Sequence, residues 1–168
     1  MSTLVIDIRP ARPSDAADIA SVHDDAWRYA YRGIIPGREL ERMVERRGAA
    51  WWQSAIERGS RVLVMTAGEE IAGYASFGKN RAGMLPVKGE IYELYIRPAY
   101  QGVGLGRKLF SACRNDMRSR GIDGFAVWAL QDNDRACDFY RAVGGTAAAR
   151  GSESFGAATL DKIAFVWP

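Results

Sequence analysis

Residues Gly89–Arg120 read GEIYELYIRPAYQGVGLGRKLFSACRNDMRSR, a strand, a glycine-rich turn and a helix in succession. Glu90 to Ile96 is rich in β-branched and aromatic residues, which predicts a strand, and Arg97-Pro98 ends it. From Val103 the apolar residues Leu105, Leu109, Ala112, Cys113 and Met117 recur at helical spacing, so an amphipathic helix is expected as far as Gly121. The basic residues before Gly121 suit the negative end of that helix. Between strand and helix lies Gln101-Gly102-Val103-Gly104-Leu105-Gly106. Glycines there let successive backbone N–H groups converge on an anion at the positive end of the helix dipole. A phosphate or diphosphate site is the first expectation.

Three motifs compete for this loop. The dinucleotide fingerprint G-x-G-x-x-G fails, because Arg107 or Leu109 stands where its third glycine belongs. A nucleoside-triphosphate loop needs four residues between its glycines and then Lys-Ser or Lys-Thr, which is absent. What remains is Q-x-x-G-x-G, formed by Gln101, Gly104 and Gly106, and it resembles the acetyl-CoA loop of the GNAT superfamily of N-acetyltransferases. The plain alternative is a glycine-rich helix start that serves only a tight turn. The next segment decides between them. Gly124 to Leu130 reads as a buried strand, and Asn133, Ala136, Phe139, Tyr140 and Gly144 follow in the spacing N-x-x-A-x-x-F-Y-x-x-x-G. GNAT proteins carry this pattern at this point, and two motifs in the right order identify the chain as resembling that superfamily.

The 168 residues suffice for one domain with a sizeable core, and a single acetyltransferase domain over 1–168 is expected. With 48% hydrophobic and 26% charged residues the chain resembles ordinary globular proteins. Its net charge of +3 comes from 23 basic residues scattered among 20 acidic ones, which argues against a nucleic-acid partner, for which the basic residues would be concentrated in one stripe. There is no signal-peptide pattern, and no apolar run approaches the ~20 residues of a membrane span, so no membrane partner and a cytoplasmic location are expected. Cys113 and Cys137 lie on helical patterns and read as reduced buried thiols.

Leu4 to Arg9 predicts a first strand broken by Pro10 and Pro13, and Ser14 reads as the N-cap of a helix ending near Tyr31. A second helix is expected from Glu39 to Arg58, with an interruption at Gly48. Arg61–Ala67 and Ile71–Gly78 form a hairpin about Gly68-Glu69, and Thr146–Phe155 and Thr159–Trp167 form another about Gly156. This order matches the GNAT fold: an α/β (α+β) architecture with a single mixed, splayed sheet of six to seven strands flanked by about four helices.

The resemblance implies a chemistry: direct transfer of the acetyl group of acetyl-CoA to a primary amine of a small molecule or peptide, in a ternary complex and without a metal. A non-catalytic acetyl-CoA sensor is the alternative. The backbone of Gln101, Gly102, Val103, Gly104, Leu105, Gly106 and Arg107 is expected to hold the diphosphate, and Leu94, Tyr95, Ile96 and Asn133 the pantetheine arm. Tyr140 is the candidate general acid, since a phenol with a reference pKa near 10 keeps its proton at neutral pH. Glu90, eleven residues before Gln101, ranks first as general base and Glu93 second; three residues apart on a strand, they are expected on opposite faces. His23, the only histidine, reads as structural or exposed. Trp27 and Tyr31, within W-x-x-x-Y-x-G-x-x-P, are candidates for the acceptor pocket. Gly145 departs from the family, which usually has phenylalanine there, and packing near the cofactor end is expected to suffer. A homodimer through the final hairpin is compatible with the sequence.

Overall fold

The computed structural model describes residues 4–168, and its seven strands form one sheet. In chain order the elements are β1 (Ile6–Pro10), α1 (Ala16–Tyr31), α2 (Gly37–Arg46), α3 (Ala49–Glu57), β2 (Arg61–Ala67), β3 (Glu70–Lys79), β4 (Gly89–Ile96), α4 (Leu105–Ser119), β5 (Phe125–Leu130), α5 (Asp134–Ala142), β6 (Thr146–Phe155) and β7 (Ala158–Trp167). Short 3-10 turns occupy Pro13–Asp15 and Pro98–Tyr100. The strand order is β1-β2-β3-β4-β5-β7-β6, antiparallel throughout except for the parallel pair β4 and β5. The mixed α/β sheet expected from the sequence is therefore present, with five helices rather than four. The additional helix comes from the interruption at Gly48, whose extended backbone (ψ 179°) separates α2 from α3.

Two local expectations need correction. Pro10 does not break β1 but ends it, paired with Leu63 on an edge strand where a missing N–H is tolerated. Ser14 is not the cap of α1; a 3-10 turn precedes the helix, and Asp15 holds it in place. The Asp15 carboxylate accepts from the Arg12 backbone N–H at 2.7 Å and from two Arg9 guanidinium nitrogens at 2.7 and 3.0 Å. The Arg9 bond keeps its carboxyl below the usual carboxylate range despite burial.

The sheet is packed on both faces. One carries α4 and α5, and the largest apolar cluster lies between them and the strands, with Ile91, Leu109, Phe110, Met117, Phe125, Phe165 and Trp167 among its members. On the other face α1 and α3 cover a second cluster centred on Trp52, Val64 and Tyr74. Close approach is possible where the sequence omits a side chain: a Cβ on Gly89 would lie 2.7 Å from Ile122. Gly145 follows the same logic, since a Cβ there would lie 2.6 Å from the Trp167 ring. The Trp167 ring thus packs directly against the backbone of Gly145. It stacks on Phe125 at 4.9 Å and donates its indole N–H to the Val143 carbonyl at 3.1 Å, so the expected packing deficit is absent.

Candidate active site

β4 and β5 pair only over Gly89–Ile91 with Phe125–Val127. Beyond Ile91 the two strands part, leaving Tyr92 to Ile96 without a partner on that side. A cleft of 640 Å³ opens there, walled by Leu94, Tyr95 and Ile96 on one side and by Asn133, Phe139 and Tyr140 on the other. At one end lie Gly102, Gly104, Gly106 and Arg107. Gly102 and Gly104 have φ of +82° and +83°, a region that side-chain-bearing residues rarely adopt. For that reason α4 begins at Leu105 rather than at Val103.

Gly104 accepts the first backbone bond of the helix, from Lys108 at 3.3 Å. Among the described residues the backbone N–H groups of Gly102 to Arg107 find no backbone acceptor, so six donors in succession stand free at a helix N-terminus. That donor set fits a diphosphate. Val103 is 70% exposed and Leu105 is in the core, so these two can contribute only through their backbone.

Across the cleft the Asn133 side chain caps α5, accepting the Ala136 N–H at 3.3 Å. Tyr140 is buried, which pushes its phenol above the ordinary value of 10 and keeps it protonated. Burial also raises the thiols of Cys113 and Cys137, both free, so neither offers the thiolate that a nucleophile requires.

The two glutamates do not lie on opposite faces. In the β3–β4 ladder Ser76 faces Glu93 while Phe77 faces Ile91, so Tyr92 is an extra residue in β4, a β-bulge. The bulge shifts the alternation by one. Glu90 sits opposite Gly78 and Glu93 opposite Ser76, and those two β3 residues share a face. Glu90, 2% exposed, accepts from the Arg81 backbone N–H and guanidinium, both at 2.9 Å, and anchors the loop between β3 and β4. Glu93 accepts from Arg47 at 3.2 Å and from the Tyr74 and Ser76 hydroxyls at 3.4 Å each. Burial raises its carboxyl above the ordinary 4.5, and Arg47 and the two hydroxyls draw it part of the way back. Neither carboxylate walls the cleft, but Glu93 directly precedes Leu94 and Tyr95, which do. Glu90→Gln, which weakens the buried end of this loop anchor, is expected to lower stability by about 1–3 kcal/mol. Denaturant unfolding measures that loss, and the acid limb of the pH–rate profile should stay where it is.

Trp27 and Tyr31 face the sheet rather than the cleft. Trp27 packs on His23 (4.9 Å), Tyr31 (4.8 Å) and Tyr95 (6.1 Å), while the Tyr31 and Tyr95 hydroxyls hydrogen-bond at 2.8 Å. The residues that α1 presents to the cleft are Ala26, Tyr29 and Ala30. His23 is fully buried with its pKa lowered to about 3 by desolvation, so it is neutral and no base at physiological pH. Arg135 and Tyr29 also line the cleft, although neither is a fixed position of the sequence motifs. Among the described residues no cluster of His, Cys, Asp and Glu is arranged to hold a metal, and no helix is long and apolar enough to cross a membrane.

The family model for the acetyltransferase (GNAT) family matches residues 19–144, which include the loop, the splayed strand and Tyr140. The chain belongs to the GNAT family. It is an acyltransferase, with acetyl-CoA as the donor this family uses. Among GNAT relatives, an uncharacterized N-acetyltransferase, YuaI of Bacillus subtilis, is 29% identical over 98% of this chain and 94% of its own. The L-amino acid N-acyltransferase MnaT of Escherichia coli is also 29% identical, over 82% of this chain and 77% of its own. The same fold is found in the PaiA N-acetyltransferase of Thermoplasma acidophilum, solved in complex with coenzyme A, with a TM-score of 0.77 at 20% identity over 94% of this chain and 98% of that one.

Proposed function

We propose that the chain moves acetyl from acetyl-CoA directly to a primary amine of a small molecule or peptide, with both substrates bound together, and that residues 1–168 act as one acetyltransferase domain. The observation that carries this reading is the run of six acceptor-less amides, Gly102 to Arg107, opening into the same cleft as the unpaired edge of β4 and Tyr140. The amides suit a diphosphate, and a strand edge with free hydrogen-bonding groups suits the amides of a pantetheine arm. Glu93 rather than Glu90 takes the amine proton, through an intervening water, because burial raises its proton affinity while Glu90 is committed to Arg81. The amine nitrogen forms its bond to the thioester carbon, whose oxygen is polarised by a β4 amide, that of Leu94 or Ile96. As the carbon–sulfur bond breaks, Tyr140 gives its phenolic proton to the thiolate and regains one from solvent.

Thiol release from acetyl-CoA against a panel of amines tests the activity. L-Amino acids head the panel because the E. coli relative is named for them; polyamines, aminoglycosides and peptides follow. Direct transfer also makes the thiols dispensable. A Cys113→Ala/Cys137→Ala variant is expected to retain turnover, and complete loss in a folded variant would contradict transfer without an acetyl-enzyme.

A further inference from the structure

Arg135 stands in the first turn of α5 and forms no ion pair among the described residues, although Asp132 and Asp134 closely precede it in sequence. Its guanidinium donates instead to two neutral oxygens, the Gln101 side-chain carbonyl and, at 3.1 Å, the Tyr29 hydroxyl. It also lies 5.5 Å from the centre of the Tyr29 ring. Gln101 in turn donates to the Ile96 carbonyl at 3.0 Å. Tyr29, Arg135, Gln101 and Ile96 therefore form a chain of contacts from α1 through α5 to the end of β4, and all four line the cleft into which the free amides of the loop open.

A guanidinium has five donors in a planar fork that matches phosphate oxygens, and here one nitrogen serves both protein partners. Hydrogen bonds to an anion are roughly twice as strong as those between neutral groups, so an anion in this cleft outcompetes an amide oxygen and a phenol. We propose that Arg135 is held on Gln101 and Tyr29 in the free protein and swings onto the diphosphate of acetyl-CoA when the cofactor binds, as the side-chain complement of the loop amides. This rests on the reading of the cleft as the acetyl-CoA site. The release of Arg135 also frees the Gln101 carbonyl at the first position of the loop.

Calorimetric binding of CoA and 3′-dephospho-CoA to the free enzyme tests this, because the two share the diphosphate and differ only in the 3′-phosphate. Arg135→Ala is expected to raise both dissociation constants by the same factor, about tenfold, the loss of one charge-assisted contact. Arg135→Lys should recover part of the affinity. Tyr29→Phe, which removes only the resting partner, should bind both ligands at least as well as the wild type. Arg135 is exposed, so unchanged thermal unfolding of its variants confirms that the comparison is made on folded protein. Unchanged affinity in Arg135→Ala, a loss confined to CoA, or a Tyr29→Phe loss as large as that of Arg135→Ala would each overturn the proposal. A wild type that binds neither ligand would overturn the acetyl-CoA reading itself, a separate failure.

Discussion

Glu93→Gln is expected to lower kcat by about 100- to 10,000-fold, the range spanned by removal of a general base. Glutamine keeps the shape and the contacts with Tyr74 and Ser76 but cannot accept the amine proton. In the wild type the base works only when ionised. Because burial raises its pKa, kcat/KM should rise with pH through a limb lying above 4.5. Arg47 pulls that pKa down, so Arg47→Ala should move the limb to higher pH and leave activity well above it largely intact. A limb that stays in place in Arg47→Ala, or turnover that survives Glu93→Gln, would remove Glu93 from the chemistry. The loss of the limb in Glu90→Gln instead would transfer the role to Glu90.

Tyr140→Phe is expected to reduce kcat by about 100-fold or more while leaving the dissociation constant of acetyl-CoA unchanged, since only a proton donor to the leaving thiolate is lost. Burial pushes the phenol above its ordinary value of 10, so the wild-type rate should not decline from phenol ionisation at any pH below 10. Steady-state kinetics with calorimetry on the same variant separate the two quantities. A fall in affinity with kcat intact would make Tyr140 a packing residue beside Phe165 and Trp167, with which it is in contact.

The strand–loop–helix from Gly89 to Ser119 was legible because each signal in it is local: β-branched residues, glycines with positive φ and a helical apolar stripe all act within a few residues. The turn made by the loop glycines was legible for the same reason. The face of Glu93 was not. A bulge is a relation between two strands, two residues of β4 against one of β3, and nothing in Glu-Ile-Tyr-Glu announces it. Alternation alone therefore misassigned one glutamate. The two sides of α1 were not legible either: Trp27 and Tyr31 pack against each other and Tyr95, while Ala26, Tyr29 and Ala30 line the cleft, a division that depends on contacts distant in sequence. Gly145 looked like lost packing until β7 brought Trp167 to it from 22 residues further along the chain. Arg135 carried no signal beyond its position among the variable residues of the Asn133–Gly144 pattern; its meaning comes from the spatial neighbours Gln101 and Tyr29.

Titration of the wild-type protein with acetyl-CoA, followed by thiol release on addition of the amine panel, tests acetyl transfer most directly. Saturable binding at one site per chain, with at least one amine releasing CoA stoichiometrically with acetylated product, is the expected result. A protein that is folded and fails to bind acetyl-CoA would contradict the assignment of Gly102 to Arg107 as a diphosphate cradle, and binding without turnover of any amine would leave a cofactor-sensing domain in place of an enzyme.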